Sequence, residues 1–463
     1  MIRDLIVSLF LIALMPASFR KPFVGLLVFS LLAYMRVQDL TWGFARNIRW
    51  SFYIALITFA GFFVSTRERR FTVQELRITV MAAMVCLVAV SIVKNRGIDS
   101  RDLSGFLEYG KIIVIAMFTT GLVHTRERLR MLLWVITLSF AFFGAKSGLV
   151  GVVTLGRMEI LQGPGGMMMD NNDFALALAM SVPMMVMVGL SEKRQLLRKA
   201  LLVCVPLTAI TIGLTHSRGG FLALSTGTMI MIMRSRKRVM GFSLMLLVLR
   251  GGALLGPSGV VNRVQSIGEY EEDSSAQARF AAWRTAAVMI RANPVFGVGF
   301  GHFQDNYKRY DPANLDQTLK KSKSHVAHNS YLQIWAECGT PTFMLYLFMM
   351  LLCFLDLWDV RRMAMRRYYA SWILNYCTMF EASLATFILG SVFLNRAHFD
   401  LLYHWVAIIV AFGIIARQHM TDPSLAPIEH QGRGVLQPMA TTGFARSNQA
   451  RGFERRPSQN GAF

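Results

Sequence analysis

The sequence predicts an all-α polytopic membrane protein, with about 12–13 transmembrane helices and one large, partly helical loop outside the membrane. Three observations predict it. Apolar residue types make up 54% of the 463 residues and charged types only 16%, well below the roughly 25% of a soluble domain. The mean hydropathy is +0.42, and 33 Phe with 29 Met are more apolar surface than a water-soluble chain of this size could bury. Third, the basic residues fall in short clusters between apolar runs. Composition therefore excludes intrinsic disorder, a disulfide scaffold and a nucleic-acid-binding module. The net charge of +22 reads as membrane topology and anionic lipid. Five cysteines (Cys86, Cys204, Cys338, Cys353 and Cys377) are odd in number, and four of them lie in apolar runs, so they read as packing residues.

Apolar runs suited to spans lie near 4–18, 22–36, 51–65, 77–94, 104–123, 131–149, 173–191, 200–214, 220–234, 239–256, 339–358, 372–395 and 400–416. The first lacks a convincing small-residue cleavage site, and a second follows directly after Arg20-Lys21, so it reads as a span. Basic clusters mark alternate connections: Arg67, Arg69 and Arg70; Arg126, Arg128 and Arg130; Lys193, Arg194, Arg198 and Lys199; Arg234, Arg236, Lys237 and Arg238; Arg361, Arg362, Arg366 and Arg367. The positive-inside rule makes these loops cytoplasmic and the others external, with Lys94-Asn95-Arg96 a mild exception. The chain divides into an N-terminal transmembrane region (1–194), a second transmembrane core (195–416) that includes the external loop 257–338, and a basic tail (417–463) expected to be disordered in the cytoplasm. A loop as long as 257–338 in a compact protein is usually functional.

Four stretches could carry chemistry. Thr215-His216-Ser217-Arg218-Gly219-Gly220 places an arginine at an outer surface, against the charge bias, followed by glycines that permit close backbone approach. Arg218 is either a snorkelling helix-end residue or a fixed cation facing an anionic group such as phosphate. Within the long loop, Glu269, Glu271, Glu272 and Asp273 precede Ser274-Ser275 and an amphipathic helix over 276–292, ended by Asn293-Pro294. Arg279 and Trp283 share one face of it, and the glycines of Gly297-Val298-Gly299-Phe300-Gly301 suggest a flexible apolar turn afterwards. The third stretch runs from His325 through His328-Asn329-Ser330 to Glu337-Cys338-Gly339, and reads as the loop returning to the membrane as a helix. His325, His328 and Glu337 make a weak metal-ligand pattern; a neutral imidazole acting as general base is the better reading. The fourth is Gly163-Pro164-Gly165-Gly166 leading to Asp170-Asn171-Asn172-Asp173, helix-capping types that also suit sugar hydroxyls, with Lys146 an outer-side cation upstream. Glu381, Arg396, His398, Asp400 and His404 are polar residues in or beside apolar runs, without an assigned role.

These residues resemble a known family. His328-Asn329-Ser330-Tyr331-Leu332 leading to Glu337-Cys338-Gly339 is similar to the signature that ends the large periplasmic loop of O-antigen ligases, O-antigen polymerases and bacterial O-oligosaccharyltransferases. Ser217-Arg218-Gly219-Gly220 resembles the family's earlier arginine-glycine element. Ser275 to Arg279 with Trp283, Asn293-Pro294 and the Gly297–Gly299 turn resembles its loop helix. The stretch from Gly144-Ala145-Lys146-Ser147-Gly148 to Asp173-Phe174-Ala175 resembles the exosortase A-associated putative O-glycosylation ligases; Thr342 departs from the glycine that many relatives carry.

The resemblance implies a C-type, all-helical, inverting glycosyltransferase of the bacterial inner membrane. It would use neither metal nor other cofactor. Its donor would be a glycan on undecaprenyl diphosphate, and its acceptor a hydroxyl of a protein, lipid or glycan on the periplasmic face, with membrane lipids around it and no nucleic acid. It implies His328, Arg218 and Arg279 as catalytic residues, and His325, Asn329, Glu337, Lys146 and Asn172 as substrate-binding ones. Two arginines would neutralise the leaving diphosphate in place of a metal, and histidine would activate the hydroxyl. An O-antigen-type polymerase or lipid A-core ligase would share this chemistry. A transporter of the lipid-linked glycan would instead show repeated halves and midplane ionisable residues.

Overall fold

The computed structural model describes residues 2–64, 75–95, 100–235, 238–243, 274–312, 325–366, 371–395 and 398–421. It is an all-α bundle. The helices are α1 (Ile2–Arg20), α2 (Pro22–Tyr34), α3 (Trp50–Val64), α4 (Leu76–Asn95), α5 (Ser100–Leu122), α6 (Arg126–Val153), α7 (Asn171–Ser191), α8 (Gln195–Leu214) and α9 (Arg218–Arg234). Then follow α10 (Ser274–Ala292), α11 (Phe303–Tyr310), α12 (Ser330–Arg366), α13 (Ser371–Gly390) and α14 (Asp400–Thr421). Among the described residues, nine helices are long and apolar enough to cross a membrane, and α2 and α3 are shorter apolar helices. The expected span at 239–256 and the acids Glu269 to Asp273 lie wholly or largely outside the described residues, as do Arg396 and most of the tail. The strands β1 (Gln162–Gly165) and β2 (Met168–Asp170) form a small antiparallel hairpin, which the sequence reading did not anticipate.

Burial separates a centre from a periphery. In α7, α13 and α14 the apolar window is 83% buried, against 22% in α1 and α8, so the first three form the middle of the bundle and the others turn most of their surface outward. Small residues let the central backbones approach. A Cβ on Gly220 would lie 2.5 Å from that of Ala175, and one on Gly227 would lie 2.3 Å from Thr386 Oγ1. The glycines after Arg218 thus serve the α7–α9–α13 contact.

The chain returns from the long loop through α12, which is broken at Gly339 (φ 80°, ψ 177°). That left-handed residue admits no Cβ, because Val295 O would stand 2.1 Å from it. The break exposes carbonyls that the turn after α10 takes up: Val298 N–H donates to Ala336 O (2.8 Å), Gly299 N–H to Glu337 O (3.0 Å), and Thr340 N–H donates back to Pro294 O (2.8 Å). Ser91 Oγ on α4 donates to Phe296 O at 2.7 Å, and Lys94 lies over the Phe296 ring. The turn expected to be flexible is therefore a fixed joint, because its peptide groups complete the broken helix. Lys94, the exception to the charge bias, packs against that joint.

At the other ends of these helices the arginines are paired. Arg361 donates to both oxygens of buried Glu381 at 3.0 Å, and Arg234 reaches the same carboxylate at 3.2 Å. Asp356 holds Arg77 and Arg417 at 2.5 Å each, and Glu192 holds Arg130 at 2.5 Å. Glu381, suspected of function from its depth, is the centre of an ion-pair network joining α9, α12 and α13.

Candidate functional site

The ends of α7, α9 and α12 that begin at the loop side of the bundle come together with the loop helices. Each has a side-chain cap. Asp170 Oδ1 accepts Asn172 N–H (2.8 Å), Ser217 Oγ accepts Gly220 N–H (3.0 Å), and Asn329 Oδ1 accepts the N–H groups of Tyr331 and Leu332 (3.0 and 3.1 Å). Asn171 Nδ2 donates to Thr215 O at 3.0 Å, tying α7 to the turn before Arg218. The start of α12 is held by the segment after α13: Ser330 N–H donates to Ser391 O at 2.9 Å, and its hydroxyl to Leu394 O at 2.8 Å. Phe393 of that same segment packs on Gly219. Arg218 and His328 thus flank one short segment, at a place where three positive helix ends converge.

The loop helices form a second, small core outside the apolar bundle. Ala282, Ala286 and Met289 of α10 pack with Val298, Phe303, Tyr307, Ala327 and Ala336. Trp283 Nε1 donates to Ala327 O at 3.0 Å. Arg279, four residues earlier on the same face, is thereby carried to His328. His325 packs edge-on against Tyr307, with ring centroids 5.7 Å apart.

His328 is half-buried and has a left-handed backbone (φ 45°), a conformation uncommon for a residue with a side chain. Burial pushes its proton affinity below the ordinary histidine value; the Arg279 guanidinium and His325 act in the same direction, and Asp170 opposes them. The result is an imidazole kept neutral beside a cation. A neutral imidazole accepts a proton, and the cation beside it suits an anionic ligand.

The remaining expected site residues are placed differently from one another. Asn172 donates to Asp170 Oδ1 (3.0 Å) and Asn171 Oδ1 (3.1 Å), within the α7 cap. Glu337 is buried at the joint, where its Oε1 accepts Phe303 N–H at 3.3 Å and its Oε2 faces His398; it supports the loop and does not join the two histidines. No three His, Cys, Asp or Glu side chains converge as metal ligands among the described residues. Lys146 is exposed on α6. Gly144 and Gly148 turn their faces to Thr208 and Leu207 of α8, so Lys146, midway between them, lies on another face, and no contact brings it to the His328 cluster. Arg36 was not foreseen. Its guanidinium lies against Gly165 and Gly166 at the tip of the hairpin and pairs with Asp39. The helix α11 was also missed, although Phe303, Asn306, Tyr307 and Tyr310 have helical spacing.

Residues 202–347, which contain Arg218, Arg279 and His328, match the family model described as O-antigen ligase. That stretch is similar to O-antigen ligases. Residues 2–193 match a family of unknown function, DUF5935. No curated protein matches the chain. Among solved structures, the chain is similar to one from a structural study of polymerization and crosslinking by a peptidoglycan synthase complex. The identity is 15% and the TM-score 0.40, with 75% of this chain and 98% of that one covered. With its long apolar helices, nine among the described residues, the chain is a multi-pass membrane protein in which residues 202–347 are similar to O-antigen ligases.

Proposed function

We propose that the protein transfers a glycan from undecaprenyl diphosphate to an acceptor hydroxyl, that of a Ser or Thr of an exported protein, on the periplasmic face of the bacterial inner membrane. One observation carries this reading: within the stretch similar to O-antigen ligases, a half-buried, neutral-leaning His328 stands beside Arg279 where three helix N-termini meet.

The acceptor hydroxyl gives its proton to His328 as its oxygen attacks the anomeric carbon of the donor sugar. The bond from that carbon to the diphosphate oxygen breaks, and its electron pair leaves with the diphosphate. Attack opposite the leaving group inverts the anomeric centre. Arg218 and Arg279 hold the diphosphate as charge builds on it, and the helix N-termini add to that field. The proton on His328 then passes to solvent, which its half-exposed position allows. His325 positions His328, Asn329 and Glu337 fix the helix that carries it, and Asn172 lies in the cap that presents Asp170 to it. Of the helices within the first 194 residues, α4 packs against α12, and α7 against α9 and α13.

The test is transfer by the purified full-length protein in detergent or liposomes, from a lipid-linked glycan to protein, lipid and glycan acceptors in parallel. Transfer to the protein supports the reading. Transfer to a lipid-linked glycan or to lipid A-core alone would replace the acceptor while keeping the chemistry. No transfer to any acceptor, from a donor that binds, overturns it.

A further inference from the structure

The joint between the loop and the membrane contains a second carboxylate–imidazole arrangement that the transfer chemistry above does not use. Glu337 is 2% exposed. One of its oxygens accepts Phe303 N–H, and the other has no hydrogen-bond partner among the described residues. That orphaned oxygen stands 3.9 Å from His398 Nε2. Both ring nitrogens of His398 are buried and likewise without a hydrogen-bond partner among the described residues. The imidazole is wedged between Phe300 (centroids 4.5 Å apart) and Tyr109 on α5 (5.0 Å).

Unsatisfied buried polar atoms are rare in folded proteins, and two of them, Glu337 Oε2 and His398 Nε2, face one another here. A shift of about 1 Å would bring imidazole and carboxylate within charge-assisted hydrogen-bond distance, with one proton held on the ring. Four parts of the chain would then be held at one point. Glu337 belongs to the helix that starts beside His328. Its main-chain carbonyl holds the turn that follows the Arg279 helix, and its side chain holds the start of α11. His398 lies in the segment whose earlier residues, Ser391 and Leu394, hold Ser330.

We infer that His398 is a positioning residue for glycan transfer. It acts through Glu337 to set the Arg279 helix against His328, and it touches neither substrate. This rests on the ligase reading above. Glu337 contributes the fixed acceptor and His398 the proton that closes the gap.

The variants are His398→Phe, which keeps a ring between Phe300 and Tyr109 but removes both nitrogens, His398→Gln, which keeps a neutral donor, Glu337→Gln, and the His398→Phe/Glu337→Gln double variant. Misplacing aligned groups costs rate more than binding, so His398→Phe should lower kcat between about ten- and a hundred-fold and leave donor KM within about two-fold. His398→Gln should recover much of that loss. The double variant should be no worse than the poorer single one. Wild-type kcat in His398→Phe, additive losses in the double variant, or no recovery by His398→Gln would overturn the positioning role. A thermal-unfolding double-mutant cycle without substrate separates the two readings. If wild type transfers glycan and the cycle shows no coupling, the pair fails alone. If the cycle shows coupling and wild type transfers to no acceptor, the ligase reading fails and takes the positioning role with it.

Discussion

The two ends of the helix bundle give arginines different neighbours. On the face away from the loop, arginines meet carboxylates: Arg361 and Arg234 share Glu381, Arg77 and Arg417 share Asp356, and Arg130 reaches Glu192. On the loop face, Arg279 stands near enough to His328 to disfavour its protonation. An arginine answered by a buried carboxylate is part of the fold. One placed beside a histidine that it keeps neutral, at converging helix N-termini, raises the local positive potential and is suited to an incoming anion. The position of an arginine at the end of an apolar run does not distinguish the two cases, and its neighbours do.

That contrast can be broken in several places. The largest effect should come from His328→Ala. Loss of a general base costs about 10²- to 10⁴-fold in rate, with donor binding and thermal stability intact; near-normal turnover in a single-turnover assay would remove His328 from the mechanism. On the opposite face, Glu381→Ala should leave two arginines without their shared carboxylate and destabilise the protein by about 3–5 kcal/mol. The readout is thermal unfolding in detergent, and donor KM of the folded fraction should not move. If Glu381→Ala weakened donor use while leaving stability alone, the two faces would not differ as argued.

Arg218→Ala and Arg279→Ala should each lose about 1.5–3 kcal/mol of donor interaction, roughly ten- to a hundred-and-fifty-fold in donor kcat/KM, with Lys restoring only part because it lacks the planar fork. A smaller effect should appear in the pH profile. His328 has its proton affinity lowered, so the base is present above that lowered value and is lost only as pH falls through it. The acid limb of kcat/KM should thus lie below the ordinary histidine range, and Arg279→Gln should move it upward. An unchanged limb would show that Arg279 does not face His328 in solution. Finally, in a cysteine-free background, Lys308→Cys should react with an impermeant thiol reagent in intact spheroplasts and Lys193→Cys should not; the reverse pattern would invert the proposed orientation.

Much of the fold was legible in advance, for a simple reason. A span must satisfy its own backbone and face lipid, so each of the helices α1 to α9 and α12 to α14 announces itself as an apolar run. The loop helix α10 was also readable, since Ser274 and Asn293-Pro294 bound a helical stretch. The site was legible only as pieces. Arg218, Arg279 and His328 are separated by 61 and 49 residues in the chain, and nothing local says that Trp283 bonds to Ala327 or that Phe393 packs on Gly219. Some readings failed because the competing role lies in another part of the chain. The glycine-rich stretch after Phe296 reads as flexible, yet the N–H groups of Val298 and Gly299 complete the break at Gly339. Glu381 looked functional until Arg361 and Arg234 were found on it.

The sequence by itself determined that the chain is a membrane bundle, where its helices run, and which residue types could take a proton or hold an anion. Those are consequences of hydrophobicity and side-chain chemistry, which each residue carries wherever it is placed. Only the tertiary structure decided which arginines are answered by carboxylates, which histidine is kept neutral, and which glycines are joints. Packing acts over a few ångströms and charge over about 8 Å at physiological salt, so these depend on neighbours that are distant in the chain.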